Sequence, residues 1–600
     1  MLLLPRERDD GGTSITPGRV AASRLRPHPF ALACGRLRHS GEKSVHFRPF
    51  LIALALGLAP AAAWAQAGAG EPVFSPDEVR AHVEFLADDL LGGRDNGTQG
   101  FEIAARYVSS RFDAMGFKPG GTQGWYQPVN IADYVLDAGK PASLTVGTKR
   151  FASGEDVLFG PSPLYGSETQ TLTADAVFVG HGREADYAGI DAAGKFVVTL
   201  LGNPPGTAPG KLDKAAVAGR HGALGLIYLL TPDNLKGAFP WAQAVTYFQG
   251  PQTNWLSPDG FPKGENPGLR IGAYVKGAAA EALFRDAPMR AGQLYAMLAT
   301  PGGMPGSFAL KPRLTLQRTS IVTVKKSENV IGILPGSDPK LANEYVVLSA
   351  HLDHEGTDPG LEGEDKIYNG AMDNAAGVAT MLEAARAFVQ SGRRPRRSIL
   401  FVALTAEEDG LIGSEFLARY PVVGSGKVVA DVNLDMPILL YDFRDVVAFG
   451  AEHSTLGPIV ARAAARMGVT LSPDPMPEEQ LFLRSDHYSF VKAGVPSIFL
   501  VTGFANGGEK AFRDFLRTHY HKVSDDIRQP FDWQAGAKFA KINYLIAREI
   551  ADADQEPRWY QGNSFGERYA KDAPKAPRPA GAPAAAQKLL SITVAPPAKN

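Results

Sequence analysis

From Asn329 onward, apolar runs of strand length alternate with stretches of helical length, and this alternation restricts the possible folds more than any other feature of the chain. The runs are NVIGILPG, EYVVLSA, RSILFVALTA, VVADVNLD and PSIFLVT, and the helical stretches include GVATMLEAARAFVQ and LGPIVARAAARMG. This order predicts an α/β fold in which a mixed central sheet is flanked by helices. Ligands of such a sheet are expected at the carboxyl ends of its strands.

The region before Asn329 divides into two parts of different character. SPDEVRAHVEFLADDL and FEIAARYVSSRFDAMGF read as amphipathic helices, the first capped by Ser75, and the loop GGRDNGTQG separates them. Further on, short β-like runs alternate with Gly/Pro-rich turns. We therefore predict a main domain in two parts, residues 66–140 and 318–556, interrupted by a β-rich insert at residues 141–317.

The two ends of the chain read as segments outside the fold. Arg48, the apolar run FLIALALGLAPAAA and the tripeptide AWA form a signal-peptide pattern with cleavage after Ala65. Residues 1–65 are thus interpreted as a signal peptide with a mis-assigned upstream extension, and the protein is expected to be periplasmic or secreted, with no membrane anchor after cleavage. Residues 557–600 are predicted to be a disordered Pro/Ala-rich tail.

Composition excludes two classes of function. Lysine and arginine total 62 against 63 aspartate and glutamate, and no basic run is interleaved with aromatic residues, so nucleic acid is not an expected partner. The single cysteine, Cys34, lies in the segment assigned to cleavage. The mature chain would then have no disulfide and no thiolate nucleophile.

Acidic residues and histidines collect where the predicted strands end, namely His351, Asp353, Asp373, Glu407, Glu408, Asp435, His519 and His521. Each has an ordinary interpretation: an isolated histidine is usually structural, an aspartate at a helix start is usually a cap, and a Glu-Glu pair is usually solvated. Taken together, two histidines and three carboxylates suffice for two zinc ions if one carboxylate bridges them. Room would remain for a shared water.

Six blocks of the sequence, in order, resemble the M28 family of co-catalytic zinc exopeptidases. The blocks are AHLDH, YNGAMDNAAGVATMLEAAR, ALTAEEDGLIGSEFLA, VNLDM, RSDHYSFVKAGVPSIF and YHKVSDD. The predicted insert, with KFVVTLLGNPP and KAAVAGRHGALGLIY, resembles the protease-associated domain that many members carry. The resemblance covers residues 75 to 550.

The resemblance implies a role for each site residue. One zinc ion is expected on His351 and Asp435, the other on Glu408 and His521, and Asp373 is expected to bridge them. The ions could also be cobalt or manganese, because carboxylate-rich sites accept these metals.

Three further residues receive roles next to the metals. Glu407 is expected to be the general base and Tyr520 to lie near the scissile carbonyl, while Asp353 is expected to accept the second N–H of His351. His354 and His519 match no role and are interpreted as polar loop residues. A cis peptide bond is expected after Asp373.

These roles predict an aminopeptidase that hydrolyses peptides by means of a hydroxide bridging the two metals. The metals lower the pKa of the water, and Glu407 takes its proton and returns it to the leaving amine. The alternatives are a carboxypeptidase or dipeptidase of the same superfamily, a glutaminyl cyclase-like enzyme, and a binding protein that has kept the fold and lost catalysis. A serine hydrolase is disfavoured because no G-x-S-x-G elbow follows a strand. The sequence leaves the oligomeric state and the side-chain preference open.

Overall fold

The computed structural model describes residues 71–579, except residues 205, 208–211, 238 and 267. The predictions of a signal peptide at residues 1–65 and of a tail beyond residue 579 lie outside the described residues. No helix in the described part of the chain has the length and apolar character needed to cross a membrane.

The described residues form three sheets. In chain order the strands are β1 (Lys118–Pro119), β2 (Tyr126–Leu136), β3 (Ser143–Val146), β4 (Lys149–Ala152), β5 (Val157–Leu158), β6 (Gln170–Phe178), β7 (Phe196–Leu200), β8 (Gly225–Leu229), β9 (Gln252–Leu256), β10 (Ile271–Val275), β11 (Phe308–Arg318), β12 (Ser320–Leu334), β13 (Glu344–His351), β14 (Gly356–Thr357), β15 (Ile367–Tyr368), β16 (Ser398–Leu404), β17 (Lys427–Leu434), β18 (Asp445–Phe449), β19 (Thr470–Ser472) and β20 (Ser497–Thr502).

The α-helices are α1 (Pro76–Leu86), α2 (Gln99–Ala114), α3 (Lys214–Arg220), α4 (Pro232–Lys236), α5 (Trp241–Gln249), α6 (Gly277–Phe284), α7 (Ala291–Leu298), α8 (Ala376–Gln390), α9 (Ile412–Arg419), α10 (Leu456–Ala465), α11 (His487–Lys492), α12 (Gly508–Thr518), α13 (Trp533–Asp552) and α14 (Ser564–Tyr569). Ser75 caps α1 by accepting a hydrogen bond from the N–H of Glu78, and Pro76 occupies its first position, as the sequence predicts.

The largest sheet has the strand order β19-β18-β20-β17-β13-β16-β12-β2-β9, with β1 paired to β12. Strands β16, β13, β17 and β20 run parallel to one another, and β12 pairs antiparallel with both β16 and β2. Strand β18 pairs antiparallel with β20 and parallel with β19. The predicted mixed α/β sheet is therefore confirmed. Because β13 lies between β16 and β17, the carboxyl ends of these three strands meet at one edge of the sheet.

Helices cover both faces of this sheet and bury its side chains. Helices α1, α2, α8, α10 and α13 share one apolar core with it. On the other face, Leu417 of α9 and Phe490 of α11 pack against Val347 and Leu400. All seven residues of β16 are buried, which explains why its sequence is a continuous apolar run.

A second sheet of eight strands has the order β4-β3-β11-β6-β7-β8-β10-β5 and its own apolar core with α6 and α7. It is built from the chain segment that the sequence divides off as an insert. One strand of that segment departs from the prediction. Strand β9 pairs with β2 at the edge of the large sheet, and its Trp255 packs edge-on against Phe416 and Tyr420 beyond it.

The prediction of a disordered tail from residue 557 is wrong for the described residues 557–579. This segment contains α14, and its Trp559 and Phe565 are 2% and 1% exposed. The Trp559 ring N–H also donates to the carbonyl of Gly494. The prediction relied on the Pro/Ala content of the segment and overlooked these two aromatic side chains. They bury enough apolar surface to order the chain.

Candidate metal centre

Four loops of the large sheet bring the predicted ligands together. His351 is the last residue of β13, Asp435 directly follows β17, and Glu408 lies four residues after β16. Asp373 precedes α8, and His521 follows α12. His351, Asp373 and Asp435 are at most 5% exposed, so these polar groups gather in a buried cluster.

Asp373 divides its two carboxylate oxygens between the two imidazoles. Its Oδ1 lies 3.1 Å from His351 Nε2, and its Oδ2 lies 3.4 Å from His521 Nε2. Each imidazole nitrogen faces one more carboxylate: Asp435 Oδ1 is 3.2 Å from His351 Nε2, and Glu408 Oε2 is 3.1 Å from His521 Nε2. The cluster thus consists of two groups of three ligand atoms that share Asp373.

The residues of both groups fit divalent metal ions. A tetrahedral zinc ion with bonds of about 2.0–2.1 Å places its ligand atoms about 3.3 Å apart. The four distances from the imidazole nitrogens to the carboxylate oxygens agree with this value. Two imidazoles and three carboxylates form a donor set that zinc accepts. Each group supplies three protein ligands, the number found at catalytic sites that keep one position for water.

The two carboxylates that do not bridge each have their second oxygen fixed by a neighbour. Ser485 donates from Oγ to Asp435 Oδ2 over 2.6 Å, and His354 donates from Nδ1 to Glu408 Oε1 over 2.7 Å. One oxygen of each carboxylate is therefore held by the protein, and the other faces its imidazole. This arrangement favours single-oxygen coordination by both residues.

Asp353 makes contacts different from those predicted. His351 Nδ1 lies 3.2 Å from the main-chain carbonyl of Asp353 but 4.0 Å from its carboxylate Oδ1, which is too long for a hydrogen bond. The carboxylate instead accepts the main-chain N–H groups of Glu407 and Glu408 at 3.2 and 3.3 Å. The chain turns at Asp353, so the carbonyl rather than the side chain reaches the ring. Asp353 thereby orients the two glutamates.

The interpretation of His354 as a polar loop residue is wrong, because its ring is buried and bonded to Glu408. His519 agrees with that interpretation: its Nδ1 lies 3.0 Å from the carbonyl of Ser524, away from the five ligands. Glu355, which sequence reasoning missed, lies 3.2 Å from His521 Nδ1 through its Oε1. This carboxylate orients the second imidazole as the Asp353 carbonyl orients the first.

The segment around Asp373 is held by Asp525. The main-chain N–H groups of Met372 and Asp373 each donate to the Asp525 carboxylate over 2.9 Å. The peptide bond between Asp373 and Asn374 is cis, as the resemblance implies. Asp525 belongs to the block YHKVSDD, so this block contributes both a candidate ligand and the group that fixes the candidate bridging residue.

The carboxylates make the cluster strongly attractive to cations. Burial alone would lower the pKa of His351, but Asp435 and Asp373 raise it well above its ordinary value. Burial also opposes charge on His521, yet Glu408 and Asp373 raise its pKa to about 11. The same field that favours protons on the imidazoles favours a divalent cation between the carboxylates.

The pKa values of Glu407 and Tyr520, which lie beside this cluster, are both raised. Burial raises the pKa of Glu407 well above its ordinary value, and neighbouring Glu408 and Asp435 act in the same direction while His351 opposes them. No hydrogen bond to the Glu407 carboxylate is found among the described residues. Burial and the nearby acids raise the pKa of Tyr520 as well, so its hydroxyl stays protonated and can donate a hydrogen bond.

Comparisons with known proteins give a family for this part of the chain. Residues 329–547 match the sequence profile of peptidase family M28. The chain is 27% identical over 384 residues to a probable glutamate carboxypeptidase AMP1 of Arabidopsis thaliana, covering 57% of this chain and 49% of that protein. It is 26% identical over 310 residues to the aminopeptidase NAALADL1 of Mus musculus, covering 44% and 38%. The chain thus spans about half or less of these relatives.

Among solved structures, the chain is similar to an aminopeptidase from Aneurinibacillus sp. strain AM-1, with 20% identity, coverage of 80% of this chain and 95% of that one, and a TM-score of 0.42. The profile match spans the segment that contains the five candidate ligands together with Glu407 and Tyr520. Over residues 329–547, this chain is therefore similar to peptidase family M28.

Proposed function

We propose that this protein is an exported zinc exopeptidase that uses two zinc ions to remove residues from the amino terminus of peptides. The observation that carries the proposal is the division of Asp373 between His351 and His521, each of which faces a further carboxylate. A structural zinc site would need a single closed set of four ligands, whereas this arrangement offers two adjacent open sets.

When bound, two zinc ions supply a water that ionises near neutral pH and a Lewis acid that polarises the peptide carbonyl. The chain supplies the proton transfer. Glu407 lies next to Glu408 with its carboxylate unbonded in the described structure, so it can take a proton from the attacking water. It then returns that proton to the nitrogen of the leaving amine. Burial raises the pKa of Glu407, which makes its carboxylate a stronger proton acceptor.

Tyr520 supports the same step from the His521 side. Its ring centroid lies 3.8 Å from that of His521. Because its hydroxyl remains protonated, Tyr520 can donate a hydrogen bond to the oxygen on which negative charge develops during attack. The residue is thus assigned to stabilise the substrate carbonyl.

The charge of the site supports recognition of an ammonium group. Five carboxylates belong to the cluster: Glu355, Asp373, Glu407, Glu408 and Asp435. This concentration of carboxylates favours the free amino terminus of a peptide over a free carboxylate.

Paired substrates test this proposal. Purified protein is stripped with a chelator, reloaded with zinc, and assayed on tripeptides that have either a free or an acetylated amino terminus, each with and without an amidated carboxyl terminus. We expect two zinc ions per chain, turnover of both peptides with a free amino terminus, and none of the acetylated ones. Equal cleavage of acetylated peptides that have a free carboxyl terminus would support a carboxypeptidase instead. Full turnover by the stripped protein would refute the metal mechanism.

Two further assignments belong to the proposal. The eight-stranded unit is assigned as a protease-associated domain that restricts access to small peptides, which a comparison of dipeptides with long peptides tests. The amino-terminal segment is assigned as a cleaved export signal. Amino-terminal sequencing of protein recovered from the periplasm or the medium should begin at Gln66.

A further inference from the structure

The loop GGRDNGTQG contains a buried arginine that the proposed mechanism does not use. Arg94 is 1% exposed. Its Nε donates to the carbonyl of Leu352 over 2.9 Å, its Nη1 donates to the carbonyls of Leu86 and Asn369, and its Nη2 donates to the carbonyl of Gly370 over 3.1 Å. All four acceptors are main-chain carbonyls.

Three of these carbonyls belong to segments that carry candidate metal ligands. Leu352 lies between His351 and Asp353, so a hydrogen bond to its carbonyl fixes the main chain directly after β13. Gly370 lies three residues before Asp373. One planar guanidinium therefore spans two ligand-bearing segments, and its rigid fork fixes the distance between them.

The main chain of the same loop is also inserted between these segments. Gly93 has φ +71°, and a Cβ atom at this position would lie 2.3 Å from the carbonyl oxygen of Gly356 and 2.5 Å from that of Tyr368. Only glycine can make this approach. The carbonyl of Arg94 in turn accepts the N–H of His354 at 3.4 Å, and His354 holds Glu408.

A buried cation without a hydrogen-bonded carboxylate needs compensation from elsewhere. Burial lowers the pKa of Arg94 to about 10, while Asp353, Asp525, Asp373 and Glu408 act to raise it. Arg94 is therefore charged at neutral pH. The acids of the metal cluster compensate this positive charge electrostatically, without a direct hydrogen bond to the guanidinium.

We propose that Arg94 is a positioning residue, which holds the segment after β13 and the segment before α8 at the separation that the two metal ions require. The inference rests on the proposed zinc site but not on the identity of the peptide substrate.

Arg397 provides a matched control at the opposite end of β13. It is also 1% exposed, and it donates to the carbonyls of Ile550 and Ala553 and to the carboxylate of Glu344, the first residue of that strand. At about 3.3 Å per residue, Glu344 lies about 23 Å from His351. A variant of Arg397 thus removes a comparable buried guanidinium far from the metals.

The experiment measures zinc affinity by competition with a chromogenic chelator, and the melting temperature of the zinc-free protein, for wild type, Arg94→Lys, Arg94→Met and Arg397→Met. We expect Arg94→Met to bind zinc about 10- to 100-fold more weakly, in the range found for groups that orient metal ligands. Arg94→Lys keeps the charge but cannot reach all four carbonyls, so it should lose at least about threefold in affinity. Arg397→Met should melt at a lower temperature and keep its affinity within about twofold.

Wild-type zinc affinity in Arg94→Met would overturn the proposal, and so would an equal loss of affinity in Arg397→Met. If Arg94→Met does not fold, the lysine variant decides: affinity equal to wild type overturns the positioning role, and reduced affinity in a folded protein supports it. Absence of peptide turnover in a wild type that binds zinc would instead contradict the proposed function alone.

Discussion

Replacing Ser485 with alanine removes the hydroxyl that fixes Asp435. In the native protein, Ser485 Oγ donates to Asp435 Oδ2 over 2.6 Å and accepts from Asn433 Nδ2 over 2.6 Å. Ser485 is 2% exposed, so water does not readily replace the lost group. The Asp435 carboxylate would then be free to rotate away from the position in which its other oxygen faces His351.

The size of the effect follows from this one contact. A hydrogen bond to a charged group contributes about 1.5–3 kcal/mol, and each 1.4 kcal/mol corresponds to about a tenfold change in an equilibrium constant. Zinc affinity should therefore fall about 10- to 100-fold. The free energy of unfolding of the zinc-free protein should also fall by about 1–3 kcal/mol, because Asn433 loses its buried acceptor.

The assay is competition for zinc between the protein and a chelator of known affinity. Ser489→Ala is the matched control, because Ser489 is also buried on the following helix and its hydroxyl pairs with Ser414 Oγ at 3.0 Å, with no contact to a ligand. It should lose stability and keep its zinc affinity. Unchanged affinity in Ser485→Ala, or the same loss in Ser489→Ala, would refute the reasoning.

Three other outcomes are expected. Glu407→Gln should lower kcat about 10²- to 10⁴-fold with zinc content unchanged, because only the proton acceptor is lost. Zinc analysis and steady-state kinetics measure both quantities. Retained turnover would show that Glu407 is not the general base. Burial lowers the pKa of His487 to about 3, so its contribution to stability is complete above pH 6.5 and declines as the pH falls toward 3. Urea unfolding of His487→Gln should therefore depend less on pH between 7 and 4 than that of wild type, and an identical dependence would contradict the assignment. Phe401→Ala, at a fully buried position of β16, should reduce the free energy of unfolding by about 3–5 kcal/mol in the same assay. A loss below about 1 kcal/mol would mean that neighbouring side chains move into the cavity left by the ring.

The sequence predicts the positions of those residues whose place in the fold follows from a local pattern. Apolar runs such as ILFVAL identify strands, and polar residues directly after a buried strand must lie at its carboxyl end, so His351, Glu408 and Asp435 could be grouped before any coordinates. Parallel pairing of β13 with both neighbours then brings them together.

The residues that the sequence does not reveal act through contacts between distant segments. Arg94 is 258 positions from the carbonyl of Leu352, and Ser485 is 50 positions from Asp435. Neither contact leaves a periodic pattern, because a single side chain meets a single atom. The sequence offers one signal for these two residues. Their blocks, RSDHYSF and GGRDNGTQG, lie next to or before the blocks that contain the candidate ligands.

The role predicted for Asp353 failed for a related reason. Two residues apart on an extended strand, His351 and Asp353 would point the same way, and the carboxylate would meet the ring. Strand β13 ends at His351, so the expected alternation no longer applies at Asp353. Side-chain direction beyond a strand end depends on the turn, which the residue types here do not specify.

Strand β9 has a practical consequence for anyone who wishes to remove or exchange the eight-stranded unit. A clean deletion of residues 141–317 would strip an edge from the large sheet, uncover the hydrogen-bonding groups of β2 and leave Phe416 and Tyr420 without Trp255. Bare strand edges invite association with other chains. A truncated variant should therefore retain Gln252–Leu256 on a redesigned linker, or carry lysines on the outward positions of β2.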